Sequence, residues 1–252
     1  MSQCFTNRFT QALPADPETG RSTRQVAGAL YSHIAPEPVD NPHLLAWSDE
    51  TAALLAISGY DDAETLAVLS GNAIGAGSQP YATVYGGHQF GHWAGQLGDG
   101  RAINLGEIGS YTVQLKGAGR TPYSRHADGR AVLRSSIREF LCSEAMHHLG
   151  IPSTRALSLM VSDTKVVRDM FYDGNPRDEP CAVVCRVSES FLRFGHFELP
   201  AAREEFGLLQ QLADFTLRSH FKHIDAGSPD AVAQLFDTVC QNTAYLVARW
   251  MA

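Results

Sequence analysis

The feature that most constrains the fold of this chain is where its hydrophobic period changes. Two runs of alternating apolar and polar residues, RAINLGEI and YTVQLKG, are separated by Gly109-Ser110, which predicts a β-hairpin. From Arg130 to Leu149 the period lengthens. Leu133, Ile137, Phe140, Leu141 and Ala145 recur at three- and four-residue steps before Gly150 and Pro152, which predicts a helix and its stop. RALSLMVS, KVVRDMFY and CAVVCRVS then read as three more strands, the last two parted by a loop rich in Pro, Gly and Asp. After Pro200 two helices are expected, over about 201–221 and 229–251. The order predicts an α+β chain in which a sheet with one packed helix is followed by a helical segment.

Upstream the signals are shorter. Ser48 precedes an Asp-Glu first turn and AALLAI, the pattern of a capped helix that Gly59 would end, and DDAETLAVLSGN predicts a second one. Residues 1 to about 45 are rich in Pro, Asn, Asp and Thr and predict an extended arm over the surface, pairing briefly at QVAGALYSHI. Residues 71–100 hold too many glycines for a stable helix and predict a backbone shaped around something.

Charge narrows the function. The 252 residues carry 20 Lys and Arg against 27 Asp and Glu, a net −7, which argues against a general nucleic-acid binder. No apolar run reaches the roughly 18 residues that a membrane helix needs, and no secretory signal is read at the start, so no membrane partner is expected. Five cysteines with no paired C-x-x-C sets fit a reducing cytoplasm better than a disulfide framework.

Against that acidity, Lys116, Arg120, Arg125, Arg130, Arg134 and Arg138 are opposed locally only by Asp128. A solvated helical face accounts for Arg130, Arg134 and Arg138. It accounts poorly for Lys116 and Arg125 beside glycine-rich backbone, so an anion site is the preferred reading. Lys116 ends a strand and Glu139 lies in the following helix; such a pair aims an ammonium at nucleotide phosphates in kinase-like folds. GQLGDGRA places glycines between strands, where backbone N–H groups can approach phosphate. No G-x-x-x-x-G-K-[ST], G-x-G-x-x-G or G-x-S-x-G occurs, so P-loop, dinucleotide and α/β-hydrolase readings fall away. His88 and His92 in HQFGHW are read as structural rather than metal-binding, and Cys181 and Cys185 as small core residues on one strand face.

Four runs, YGGHQFGHWAGQLGDGRA, QLKGAGRTPYSRHADGRAVLRSSIREFL, SEAMHHLGIPSTRALSL and LRFGHFE, resemble the selenoprotein O family, also called YdiU-like, from about residue 40 onward. The resemblance implies a protein-kinase-like (pseudokinase) fold and a protein adenylyltransferase, which binds ATP flipped relative to kinases and transfers AMP to Ser, Thr or Tyr hydroxyls of protein substrates. It implies nucleotide contacts at Gly98, Gly100 and Arg101, the strand lysine at Lys116 supported by Glu139, further contacts at Asp128 and Gly129, and phosphate-holding arginines at Arg186 and Arg193.

The family's proposed base and its Mg²⁺ or Mn²⁺ ligands belong to a segment resembling G-x-x-H-G-x-x-N-T-D-N. The sequence ends at Met251-Ala252 without it, so no catalytic or metal residue is expected in this chain. The implied organisation is an arm with short helices over 1–75, an ATP-binding lobe over 76–195, and the start of an incomplete helical lobe over 196–252. Val232, Phe236, Val239, Leu246 and Trp250 are then expected to face outward from the last helix. The alternative is a non-catalytic nucleotide-binding or regulatory protein; a weaker one is a basic module for another phosphorylated ligand.

Overall fold

A computed structural model describes residues 3–60 and 62–252. Met1, Ser2 and Asp61, which the expected arm and second helix include, lie outside the described residues. The fold is mixed α+β. The strands are β1 (Tyr31–His33), β2 (His43–Trp47), β3 (Tyr81–Thr83), β4 (Gly86–Gln89), β5 (His92–Gln96), β6 (Ala102–Ile108), β7 (Tyr111–Lys116), β8 (Ala131–Val132), β9 (Arg155–Arg168) and β10 (Arg177–Ser188). The helices are α1 (Arg8–Ala12), α2 (Asp49–Leu54), α3 (Ala63–Ser70), α4 (Leu133–His148), α5 (Phe194–Ala202), α6 (Phe206–His220) and α7 (Ala231–Met251).

The main sheet is antiparallel in the order β1-β3-β6-β7-β10-β9-β2, with β8 on β10, while β4 and β5 form a separate hairpin. Strand period assigns its two faces. Val113 and Leu115 of β7 and Val183, Cys185 and Val187 of β10 point to one side, into a core shared with Phe5, Val26, Ile34, Leu55 and Leu69. Phe140 of α4 packs on Ala182, Val184 and Leu159 on the other side. Lys116 lies opposite Val184, and Gln114 opposite Arg186, so these polar side chains share the face that α4 only partly covers. Cys181 and Cys185 are both fully buried, as core residues.

The predicted hairpin forms as β6 and β7. Ser48 caps α2 by accepting from the Thr51 N–H at 3.2 Å, and Asp62 and left-handed Gly71 bound α3. Other expectations are corrected. The arm is not a surface strap: Phe5, Phe9, Leu13, Val26, Leu30 and Tyr31 are buried, and Glu107 of β6 accepts the N–H groups of Arg8 and Phe9. The arm therefore covers the sheet, which is why all seven residues of β6 are buried instead of alternating.

RALSLMVS and KVVRDMFY are not two strands, since residues 155–168 form one continuous strand and Met170, Phe171 and Tyr172 sit exposed in the loop beyond it. α2 ends at Leu54, ahead of Gly59, and α4 starts at Leu133 because Ala131 and Val132 pair with β10. Leu141, expected on the core face of α4, is 61% exposed. α5 precedes the expected helical region and carries Pro200 inside it, so the helical segment begins before the proline and not after it. On α7, Val232, Phe236 and Trp250 are exposed as expected, Leu246 is half-buried, and Val239 packs against the Leu217–Leu235 cluster. Among the described residues no helix is long and apolar enough to cross a membrane.

One ion pair ties three elements together. Glu144 near the end of α4 accepts Arg155 at 2.9 and 2.7 Å, the Ala156 N–H at 3.0 Å and the Ser48 hydroxyl at 2.8 Å. Burial opposes ionisation of this carboxyl, but Arg155 and the other donors outweigh it and hold the pKa down at about 2. Glu144→Ala should therefore cost about 3 kcal/mol, because it leaves the nearly buried Arg155 guanidinium with only the exposed Glu50 carboxylate at 3.4 Å. Urea unfolding of the two proteins checks this, and a loss below about 1 kcal/mol would show that the pair is surface-like.

Candidate functional site

The uncovered part of the sheet opens into a cleft of about 680 Å³, a volume typical of small-molecule sites. Gly98, Gly100, Arg101, Lys116, Asp128, Gly129, Arg186 and Arg193, singled out from the sequence, all line it. They come from the turn after β5, the end of β7, the loop before β8, the end of β10 and the start of α5. Seven Lys or Arg side chains line the cleft against two aspartates, so its field attracts anions.

Lys116 is the last residue of β7 and donates its ammonium to Glu139 at 2.5 Å. Burial pulls its pKa below the ordinary lysine value, with Glu139 pulling the other way. The second oxygen of Glu139 accepts Arg186 at 3.3 Å, so one carboxylate serves two cations. Arg186 also donates to Gln114, which in turn donates to Asn104 at 2.9 Å. Burial lowers the Arg186 pKa as well, and its Nε has no hydrogen-bond partner among the described residues. A half-neutralised cluster of half-buried cations is electrostatically poised to take up a polyanion.

The two aspartates are committed elsewhere. Asp99 is buried and accepts the Thr83 N–H at 3.0 Å and hydroxyl at 2.6 Å. Asp128 accepts both arms of Arg168 at 2.7 and 2.8 Å and the Arg130 N–H at 2.9 Å. Burial works against its ionised form, yet these donors win and its pKa lies below the usual carboxylate value. Gly129 has φ +72°, and a Cβ there would lie 2.1 Å from the Gly119 carbonyl oxygen. The glycine-rich segment is thus shaped first around the protein's own backbone: Gly98 and Gly100 pack against Tyr123 in the same way.

Sequence reasoning missed Arg168, Tyr85 and Gln89, which also line the cleft. Arg168 ends a strand that was expected to be two, and Tyr85 precedes the glycines, so neither carried a local signal. Arg134 lies outside the cleft and pairs with Glu179 at 2.6 Å, while Arg130 donates to the Glu37 and Pro38 carbonyls and so anchors the arm. His88 and His92 sit on β4 and β5, with His88 packed on Trp93.

Comparison with known proteins agrees in one direction. A family model described as protein adenylyltransferase SelO matches residues 19–252. The chain is 61% identical over 257 residues to a protein nucleotidyltransferase YdiU of Azoarcus sp. strain BH72, covering 98% of this chain and 49% of that protein. It is 58% identical to the protein of that name from Nitrosospira multiformis, covering 98% and 45%. With the one from Rhodopirellula baltica it shares 56% identity over 98% and 48% of the two chains. The chain spans about half the length of the curated relatives it matches.

Proposed function

This chain belongs to the protein adenylyltransferase SelO family, and from that premise we propose that its cleft binds ATP as the nucleotide-holding part of a cytoplasmic protein adenylyltransferase. The observation that carries the reading is the convergence of Lys116 from β7, Arg186 from β10 and Arg193 from the start of α5 on one cleft, with Glu139 holding the first two. In this reading residues 76–195, with α4 and most of the main sheet, are a kinase-like lobe, residues 1–75 are its arm and short helices and add the edge strands β1 and β2, and residues 196–252 begin a helical lobe. Arg186 and Arg193 neutralise the terminal phosphates, Lys116 the inner ones, and Arg101 with the glycine turn at Gly98 and Gly100 borders the nucleotide. Loop residues Asp128 and Gly129 border it from the other side. Transfer of AMP to Ser, Thr or Tyr hydroxyls of protein substrates is proposed for the whole protein.

No residue described here is assigned as base. The family uses Mg²⁺ or Mn²⁺, but the carboxylates at hand do not fit such a site: Asp99 is taken by Thr83, Asp128 by Arg168 and Glu139 by Lys116 and Arg186. Among the described residues no group of three or more His, Cys, Asp and Glu is placed to hold a metal. The same commitment of every cleft carboxylate favours, as a second reading, a chain that binds nucleotide without turning it over.

Lys116→Met is expected to weaken ATP binding roughly tenfold to a hundredfold, since one charge-assisted contact contributes about 1.5–3 kcal/mol. Calorimetric titration with ATP measures this, with circular dichroism to verify the fold. Unchanged affinity in a folded variant removes Lys116 from the site. Incubating the wild-type chain with labelled ATP and an acceptor protein tests the second reading: label on protein overturns it.

A further inference from the structure

Arg193 reaches the cleft from the N-cap of α5, and its backbone is tied in an unusual way. Helix starts are commonly closed by a Glu or Gln at the third helical position, which accepts the N-cap N–H. Here the third position is His196. Its Nδ1 accepts the Arg193 N–H at 2.9 Å, and the backbone N–H of His196 donates to the Arg193 carbonyl at 3.0 Å. The imidazole is fully buried, so the proton-bearing nitrogen is Nε2, which has no partner among the described residues. Tyr85 completes the arrangement, its ring 5.1 Å from the imidazole and 5.2 Å from the Arg193 guanidinium. Gly195, between Arg193 and His196, abuts the Gly86 carbonyl so closely that a Cβ would sit 1.9 Å from its oxygen. The first turn of α5 is therefore clamped against the base of the β4–β5 hairpin.

We propose that His196 is the positioning residue for Arg193: it supplies the capping acceptor that fixes the Arg193 backbone while adding no negative charge beside the guanidinium. A glutamate would make the same hydrogen bond but would compete with an anionic ligand for Arg193, whose charge is needed in the cleft. Burial keeps the histidine neutral, pulling its pKa down to about 3, so the cap stays uncharged over the whole physiological range.

This inference rests on the reading of the cleft as an ATP site in which Arg193 faces a terminal phosphate. Its test is the difference between ATP and AMP affinity of the full chain near neutral pH, because AMP lacks the phosphates assigned to Arg193. His196→Leu is expected to weaken ATP about tenfold, the equivalent of one charge-assisted contact, and AMP by less than about threefold. His196→Gln, a neutral acceptor that suits the same helix position, is expected to recover most of that loss. Circular dichroism and thermal unfolding confirm that each variant is folded. Equal weakening of ATP and AMP, or no weakening of either, overturns the positioning role, as does failure of a folded His196→Gln variant to recover ATP affinity. A wild-type chain that binds neither nucleotide overturns the ATP reading itself, and is told apart by failing before any substitution is made.

Discussion

Gly129→Ala is expected to be among the most damaging single-methyl changes in the protein. The residue has φ +72°, and its added Cβ would meet Gly119 O at 2.1 Å, Gly119 C at 2.2 Å and Arg120 N at 2.4 Å, all backbone atoms that cannot swing away. Left-handed backbone costs an alanine roughly 1–2 kcal/mol, and forcing a methyl into filled space adds about 1–3 kcal/mol. A total near 3 kcal/mol would lower the melting temperature by roughly 6–12 °C in a chain this long. The clash also opens the base of the loop, where the Gly119 N–H donates to the Gly129 carbonyl at 3.2 Å, so Asp128 and its neighbours shift and, on the proposed function, ATP affinity falls with stability. Gly174→Ala is the control: it has φ +84° but nothing within 4 Å, so only the backbone strain, about 1–2 kcal/mol, remains. Equal losses in the two variants would show that the close approach at Gly129 contributes nothing.

The second large effect is acid unfolding that begins well above the carboxylate range. Burial, the largest cause for both, lowers the pKa of His196 from 6.5 to about 3 and that of His220 from 6.5 to about 4. At His196 the hydrogen bond to the Arg193 backbone opposes the shift and the Arg193 charge adds to it, while Arg8 and Lys222 add to it at His220. Below pH 6.5 the unfolded chain binds these protons and the folded chain does not, so stability falls as pH falls. Each histidine contributes up to about 1.4 kcal/mol per pH unit, until its folded pKa is passed. Glu144 acts in the same direction lower down: the stability from its depressed pKa is complete above 4.5 and lost as pH falls toward about 2. Urea midpoints should therefore drop steadily from pH 6.5 to 4, and His196→Gln should flatten part of that slope. A flat profile down to pH 5 would mean that neither ring is shielded from water.

Much of the site was legible because its parts carry motif-scale signals. Lys116 ends an alternating run and Glu139 lies 23 residues later on a strongly periodic helix, and the structure joins them at 2.5 Å. LGDGR and LRFGHFE mark segments that do line one cleft. The reason for the glycines was not legible. They predict a backbone shaped around something, and the close approaches at Gly98, Gly100 and Gly129 show that this includes the protein's own backbone and Tyr123. Nor did any local pattern reveal that Asp128, 40 residues from Arg168, has its carboxylate engaged by it.

What the amino-acid order determined by itself was the local structure: the β6–β7 hairpin, the Ser48 cap, the helix that follows it, the end of α4 to within a residue, and the excess of positive charge around Lys116. Those signals depend on neighbours a few residues away, through side-chain period, cap hydrogen bonds and turn geometry. Only the tertiary structure decided the rest. The polar-looking arm becomes core because Glu107, about a hundred residues away, accepts its N–H groups and lets Phe5 and Phe9 seal the sheet. Residues 155–168 run as one strand because β10 pairs on both sides of the Ser-Asp-Thr segment that looks like a turn, with a register shift at that point. Arg193 is set by a buried histidine whose function as a cap exists only once α5 forms and Tyr85 closes over it. Burial and long-range pairing are properties of the assembled chain, and they decided which charges stay free to meet a ligand.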